Sequence, residues 1–92
     1  MGYSLLILPD AKRDLASLDL STRARILSRL EWLAENAEQV VHHQLHGTPE
    51  DLAGLCRFRV GDYRILYWKK DALRRLDVFR IRHRSKAYRH LR

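Results

Sequence analysis

Carboxylates are scarce in the second half of this chain. Residues 54–92 hold thirteen lysines and arginines but only three acidic residues, Asp62, Asp71 and Asp77, a net charge of +10. Residues 1–53 hold five basic and eight acidic side chains, a net of −3. A half-chain this basic needs a polyanion or an acidic protein to offset its self-repulsion. Cysteine is nearly missing too. Cys56 stands alone, which excludes an internal disulfide and fits a reducing compartment. No apolar run approaches the length of a membrane-spanning helix. The opening residues Met1 to Leu6 lack the basic n-region of a secretory signal, so a cytoplasmic location is expected. No glycine-rich phosphate loop, serine-centred elbow or paired-carboxylate arrangement is present. His42, His43 and His46 cluster locally, but no cysteine or carboxylate stands beside them at a convincing ligand spacing. Neither a metal nor a cofactor is therefore expected.

What remains is enough for one small domain. The chain has 92 residues, 46% of them hydrophobic, which supports a modest core and argues against disorder. Residues 3–8 read as a short apolar strand closed by Pro9 and Asp10. Ala11, Leu15 and Leu18 then recur at helical spacing. Asp19 or Ser21 can cap a second helix, whose stripe of Ile26, Leu27, Leu30, Leu33, Ala34 and Ala37 ends near Asn36. Trp32 lies off that stripe, either widening the buried face or standing exposed at a partner interface. Residues 39–53 show no period and read as a loop. Three β-rich segments follow, at residues 55–60, 63–69 and 74–81, with Gly61-Asp62 as a two-residue hairpin turn. Residues 85–91 are expected to form a short terminal helix. The expected order is β-α-α-β-β-β, an α+β fold with two N-terminal helices on one face of a mainly antiparallel sheet.

Alternation along the strands sorts the side chains. Cys56, Phe58 and Val60 share one face, and Arg57 and Arg59 the other. If Val60 pairs with Tyr63, then Arg59 pairs with Arg64 and Phe58 with Ile65. Like charges directly opposite are destabilising, so facing arginines point to a ligand. Simple alternation also groups Arg80 with Arg82 and sets Phe79 and Ile81 on the opposite face. The expectation is one apolar face under the helices and one arginine-rich face open to phosphate. Arginine outnumbers lysine fourteen to four, and its planar fork suits phosphate oxygens. A solvated basic surface is the competing reading. His83 has the side chain type that moves protons near neutral pH, although a surface or capping role fits its position just past a strand. Tyr88 can stack on a base or orient a phosphate, or anchor the terminal segment. Cys56 falls on the apolar parity and reads as core.

Two blocks carry a family resemblance: Arg57-Phe58-Arg59-Val60-Gly61-Asp62-Tyr63-Arg64-Ile65-Leu66-Tyr67, and Ile81-Arg82-His83-Arg84-Ser85-Lys86-Ala87-Tyr88. With the early Ala11-Lys12-Arg13-Asp14-Leu15 and the element order, they resemble the RelE/ParE superfamily of type II toxin–antitoxin toxins, and the ending resembles the RelE-like branch. The resemblance implies a single RelE-like toxin domain over residues 1–92. It implies a ribosome-dependent mRNA endonuclease, or alternatively a ParE-like inhibitor of DNA gyrase without nuclease activity. It implies Arg57, Arg64, Arg82, His83 and Tyr88 as catalytic residues, and Arg59, Arg80, Arg84, Lys86 and Arg89 as RNA-binding ones. Its partners would be a cognate antitoxin protein, the ribosome and mRNA, with no membrane and no small-molecule cofactor. By the same resemblance Arg64 contacts the scissile phosphate, Arg82 stabilises charge or the leaving group, and Tyr88 stacks on or orients the substrate. Leu55 and Arg57 stand where the family prototype has lysines. An arginine stays protonated at ordinary pH, and leucine cannot take a proton, so the base falls to His83.

Overall fold

The computed structural model describes residues 2–88. Strand β1 (Ser4–Ile7) leads into helix α1 (Pro9–Ala16) and helix α2 (Leu20–Glu35). Strands β2 (His43–Gln44), β3 (Cys56–Val60), β4 (Tyr63–Lys70) and β5 (Arg75–His83) follow. The sheet order is β1-β5-β4-β3-β2. Only the β1–β5 pair is parallel; β5–β4, β4–β3 and β3–β2 are antiparallel.

Each helix starts and stops for a local reason. Pro9 occupies the first turn of α1, where its missing N–H costs nothing. Arg23 donates from Nε to the Leu15 carbonyl at 3.0 Å and from its Nη2 to those of Ala16 and Leu18 at 3.2 and 3.0 Å. These bonds occupy carbonyls that the end of α1 leaves without helical partners. Asp19 caps α2 by accepting from the Thr22 N–H at 2.9 Å, and hydrogen bonds from the Thr22 side chain and then its backbone hold the carboxyl below the usual range. Asn36 closes the far end, its side-chain amide donating to the Trp32 carbonyl at 2.8 Å.

The helices pack their apolar stripe on one face of the sheet. Ile26, Leu30, Leu33, Ala34 and Ala37 of the expected stripe are buried there, with Ala11 and Leu15 from α1. They meet Cys56, Val60, Ile65, Tyr67, Leu76, Val78 and Ile81 from the strands. Truncating the fully buried Leu30 to alanine would cost about 2–5 kcal/mol. That is a large share of a small domain's stability. Trp32 remains 42% exposed.

The hairpin register is the expected one: Val60 faces Tyr63, Arg59 faces Arg64, and Phe58 faces Ile65. Three features depart from the sequence reading. First, residues 39–53 contribute the two-residue strand β2, because Arg57 and Cys56 still offer an edge that His43 and Gln44 pair with. A short 3₁₀ turn at Glu50–Leu52 follows. Second, β5 carries a bulge. Tyr67 pairs with Val78 but Leu66 with Arg80, leaving Phe79 as the extra residue. Alternation breaks there, so Phe79 joins the cluster of Leu66 rather than the core of Ile81. Third, the face opposite the helices is only half open. Leu55 and Leu66 are fully buried on it, covered by Leu45, Leu52, Trp68, Phe79 and Tyr88. Residues 84–88 form turns, with the Lys86 N–H donating to the His83 carbonyl at 2.9 Å. The rest of the expected terminal helix, and Arg89 within it, lies outside the described residues.

Candidate functional site

Where β1 ends, the outer edge of β5 continues without a strand partner. Leu8 still donates to the Val78 carbonyl at 2.9 Å, and then the chain leaves to form α1. Asp14 of that helix takes over. Its carboxylate accepts from the Ile81 backbone N–H at 2.8 Å and from Arg80 Nε and Nη2 at 2.9 and 3.0 Å. Asp14 is 15% exposed along its side chain, so these bonds are made with little competition from water. They hold Arg80 above the usual arginine range. Arg80, expected to touch RNA, is thus a fixed wall of the site. Asp14 lies 66 residues from Arg80, and no spacing in the sequence marks the pair.

Beside this wall lies a groove of about 450 Å³ lined by Asp14, Ser17, Leu18, Tyr63, Arg80, Ile81, Arg82, His83 and Lys86. Four expected site residues meet in it: Arg80, Arg82, His83 and Lys86. Arg82 donates to the Lys86 carbonyl at 3.4 Å. Partial burial, and after it the Arg80 charge, pulls Arg82 below the usual arginine range. It nevertheless stays charged at ordinary pH. His83 is held from two sides. The Tyr63 ring packs edge-on against it with centroids 5.6 Å apart. Its Nδ1 lies 3.0 Å from the Ser85 hydroxyl oxygen and accepts from the Ser85 backbone N–H at 3.3 Å. With Nδ1 occupied, Nε2 is the ring nitrogen left for a substrate. Ser85 was not among the expected site residues. Its two-residue separation from His83 is the signal that would have found it, since serine at that distance reaches back to its own turn.

The other expected residues spread across the sheet. Arg59, Arg64 and Arg82 form one row over β3, β4 and β5. Opposite side chains in such a row stand about 5 Å apart at Cβ. Arg64 bends over the hairpin turn, donating to the Gly61 and Tyr63 carbonyls at 3.1 Å each. The next row is Arg57, Leu66 and Arg80. Arg57 and Arg59 line a separate hollow with Val41, His43, Phe58 and Tyr67. Arg84 pairs with Asp62 at 3.8 Å, both well exposed. Tyr88 is folded onto the Leu55–Leu66 cluster, its hydroxyl buried without a hydrogen-bond partner among the described residues.

His42 and Cys56 serve the fold. His42 Nδ1 faces the buried Tyr67 hydroxyl at 2.5 Å, and Nε2 faces the Ala37 carbonyl at 2.7 Å. The hydroxyl therefore donates to Nδ1, and Nε2–H donates to the carbonyl. Burial pushes the Tyr67 phenol and the Cys56 thiol upward, away from ionisation. No group of three histidine, cysteine or carboxylate side chains stands together for a metal among the described residues. No helix among them is long and apolar enough to cross a membrane.

This architecture has close counterparts. A chain of the toxin–antitoxin complex RelBE2 from Mycobacterium tuberculosis superposes with a TM-score of 0.75 at 26% identity, covering 90% of this chain and 99% of that one. A free arginine double mutant of Escherichia coli toxin RelE gives 0.74 at 18% identity, covering 99% and 95%. The archaeal RelE–RelB complex of Pyrococcus horikoshii gives 0.70 at 23% identity, covering 95% and 100%. No curated protein matches the chain in sequence. Residues 5–88, from β1 through Tyr88, match the family described as ParE toxin of type II toxin–antitoxin system, parDE. The chain belongs to that family, and with its RelE-like fold it is a toxin of the RelE/ParE superfamily of type II toxin–antitoxin systems.

Proposed function

We propose that this toxin is a ribosome-dependent endoribonuclease that cuts mRNA in the A site, with the groove between α1 and the end of β5 as its reaction centre. One observation carries the reading: Arg82, His83 and Lys86 line a single groove, beside a carboxylate-fixed Arg80. Positive charge and an imidazole side by side support a phosphodiester reaction there. The ribose 2′-OH attacks the adjacent phosphorus. The new O2′–P bond forms as the P–O5′ bond breaks, leaving a cyclic phosphate and a free 5′-OH. No metal takes part. His83 takes the 2′ proton at Nε2 once Nδ1 gives up the Ser85 backbone N–H and donates its own proton to the Ser85 hydroxyl instead. The imidazolium that results keeps that bond. Arg82 offsets the charge growing on the phosphoryl oxygens, and Lys86 supplies the proton that O5′ needs. Arg64, next to Arg82 across the strands, takes up the scissile phosphate once it leaves the turn carbonyls. Arg57, Arg59 and Arg84 hold the strand farther out. Tyr88 stacks on the substrate only after leaving its buried seat. The ribosome contributes the positioning.

A cognate antitoxin is the physiological partner; five of the matching solved structures are of toxins bound to RelB-type antitoxins or an antitoxin peptide. It would cover the basic half of the chain, with capture weakening as salt rises. In this reading the protein works in the cytoplasm, where ribosomes are.

The family match to ParE favours a second reading, inhibition of DNA gyrase by binding alone. Mapping mRNA 5′ ends after expression of the toxin separates the two. Codon-phased cuts are expected. DNA damage without such cuts would overturn the nuclease reading in favour of the second.

A further inference from the structure

Five of the described arginines are held by carboxylates. Arg13, Arg74, Arg75, Arg80 and Arg84 each pair with a carboxylate: Asp10, Glu38, Asp77, Asp14 and Asp62. Arg25 and Arg29 of α2, with Arg57 and Arg59 of β3, have no carboxylate partner among the described residues. Arg25 and Arg29 lie along the seam between α2 and the β3–β4 hairpin, while Arg57 and Arg59 project from the opposite face of β3. A charged side chain that a protein leaves unpaired beside its like neighbours raises the folded state's self-repulsion. Arg25 and Arg29, one helical turn apart, gain most from a ligand that offsets it.

The seam is built rather than merely charged. Gly61 has φ of +57°, a conformation that favours glycine, and a side chain there would run into the Arg25 guanidinium. Arg25 therefore reaches end-on to the hairpin turn. Arg29 lies over the Trp32 ring at 4.7 Å and near the Phe58 ring at 5.5 Å. Those two rings are within 11° of parallel, with centroids 6.5 Å apart. Trp32 and Phe58 thus orient the guanidinium and shed part of its hydration, while its N–H fork stays available. Arg25 and Arg29 are one turn apart, about 6 Å along the helix. Arg57 and Arg59 are about 7 Å apart along their strand. Both intervals are comparable with the separation of successive phosphates on one nucleic-acid strand. Arg57 and Arg59 line a hollow of their own, of about 440 Å³, with Val41, His43, Phe58 and Tyr67.

We infer that the α2–β3 seam is a second RNA-binding surface, in which Arg25 and Arg29 grip the phosphate backbone apart from the groove that holds His83. The inference rests on the reading above for the identity of the polyanion, and on the seam itself for its place. Two exposed guanidiniums, one of them backed by aromatic rings, suit phosphate oxygens. The exposed ring that would anchor an apolar partner is already capped by Arg29.

The test measures binding of a labelled single-stranded RNA oligonucleotide across a salt series. It compares the parent with Arg25→Gln/Arg29→Gln and Arg25→Lys/Arg29→Lys, each checked by thermal melting to be folded. Two lost phosphate contacts should shrink the slope of log K against log salt by about 1.4. The lysine pair should restore the slope, since it restores the charge. An unchanged slope and affinity in the folded glutamine variant would overturn the inference. So would loss of poly-glutamate binding with RNA binding intact, which would assign the seam to an acidic protein. Because this experiment reads binding and not cleavage, it fails or succeeds separately from the mapping of 5′ ends.

Discussion

On the β5 side of the sheet, charge is met by charge. Asp14 ties down Arg80 and the open strand edge, Asp77 holds Arg75, and Asp62 reaches Arg84. On the β3 side, Arg25, Arg29, Arg57 and Arg59 meet aromatic rings, a glycine turn and solvent instead. The difference separates two tasks that composition alone merges. A reaction centre needs groups held in one geometry before the substrate arrives. The carboxylate-braced groove around His83 has that rigidity. A surface that grips a long polyanion needs charge left available, and the seam has that.

The comparison is most easily broken in the arginine row that links the two sides. Arg64 stands between Arg59 and Arg82. Arg64→Ala should lower mRNA cleavage about 10²–10³-fold, the usual loss on removing one donor to a developing anion. Growth arrest should weaken accordingly and the fold should stay intact. A folded Arg64→Ala protein with full toxicity would remove the row from the site.

The next effect is on stability and probes the brace. Asp14→Ala strips two bonds from Arg80 and one from the Ile81 N–H. It should destabilise the protein by about 2–3 kcal/mol, seen as a melting temperature lower by roughly 10–20 °C. Arg29→Ala on the other side of the sheet should shift melting far less, because an exposed cation–π contact contributes about 0.5–1 kcal/mol. Equal losses from the two substitutions would erase the distinction between a braced side and an available one. The smallest effect concerns Tyr88. Its hydroxyl is buried without a partner among the described residues. Tyr88→Phe should therefore leave stability unchanged or raise it by about 1 kcal/mol, measured by urea unfolding. A clear loss of stability would mean that the hydroxyl holds the terminal segment in place.

Much of this was legible in the sequence, and for physical reasons. Gly61-Asp62 sets the hairpin register, and the register alone stacks Arg59 on Arg64. Asp19, Asn36 and the stripe from Ile26 to Ala37 fix α2. The rest depends on contacts that no local pattern encodes. The bulge at Phe79 arises from pairing with β4 and from the switch of partner at the β5 edge, so simple alternation misplaced that ring. The burial of Leu55, Leu66 and Tyr88 requires the loop residues Leu45 and Leu52 to fold over the second face. Asp14 meets Arg80 only because α1 lies along the edge that β1 vacates. Arg25 and Arg29 read as ordinary solvated helix positions until Gly61 and Phe58 are seen beneath them.

The division of labour is tested most directly by single-turnover cleavage of mRNA on programmed ribosomes, with toxin concentration varied. Two variants are compared with the parent, His83→Gln and Arg25→Gln/Arg29→Gln. For His83→Gln the saturated rate should fall by about 10²–10⁴, with the half-saturating concentration little changed. The arginine pair should do the reverse, keeping the saturated rate and raising the concentration needed to reach it. If His83→Gln cleaves at the parent's rate through neutral pH, or if the arginine pair lowers the saturated rate, the assignment of chemistry to the groove and grip to the seam is contradicted.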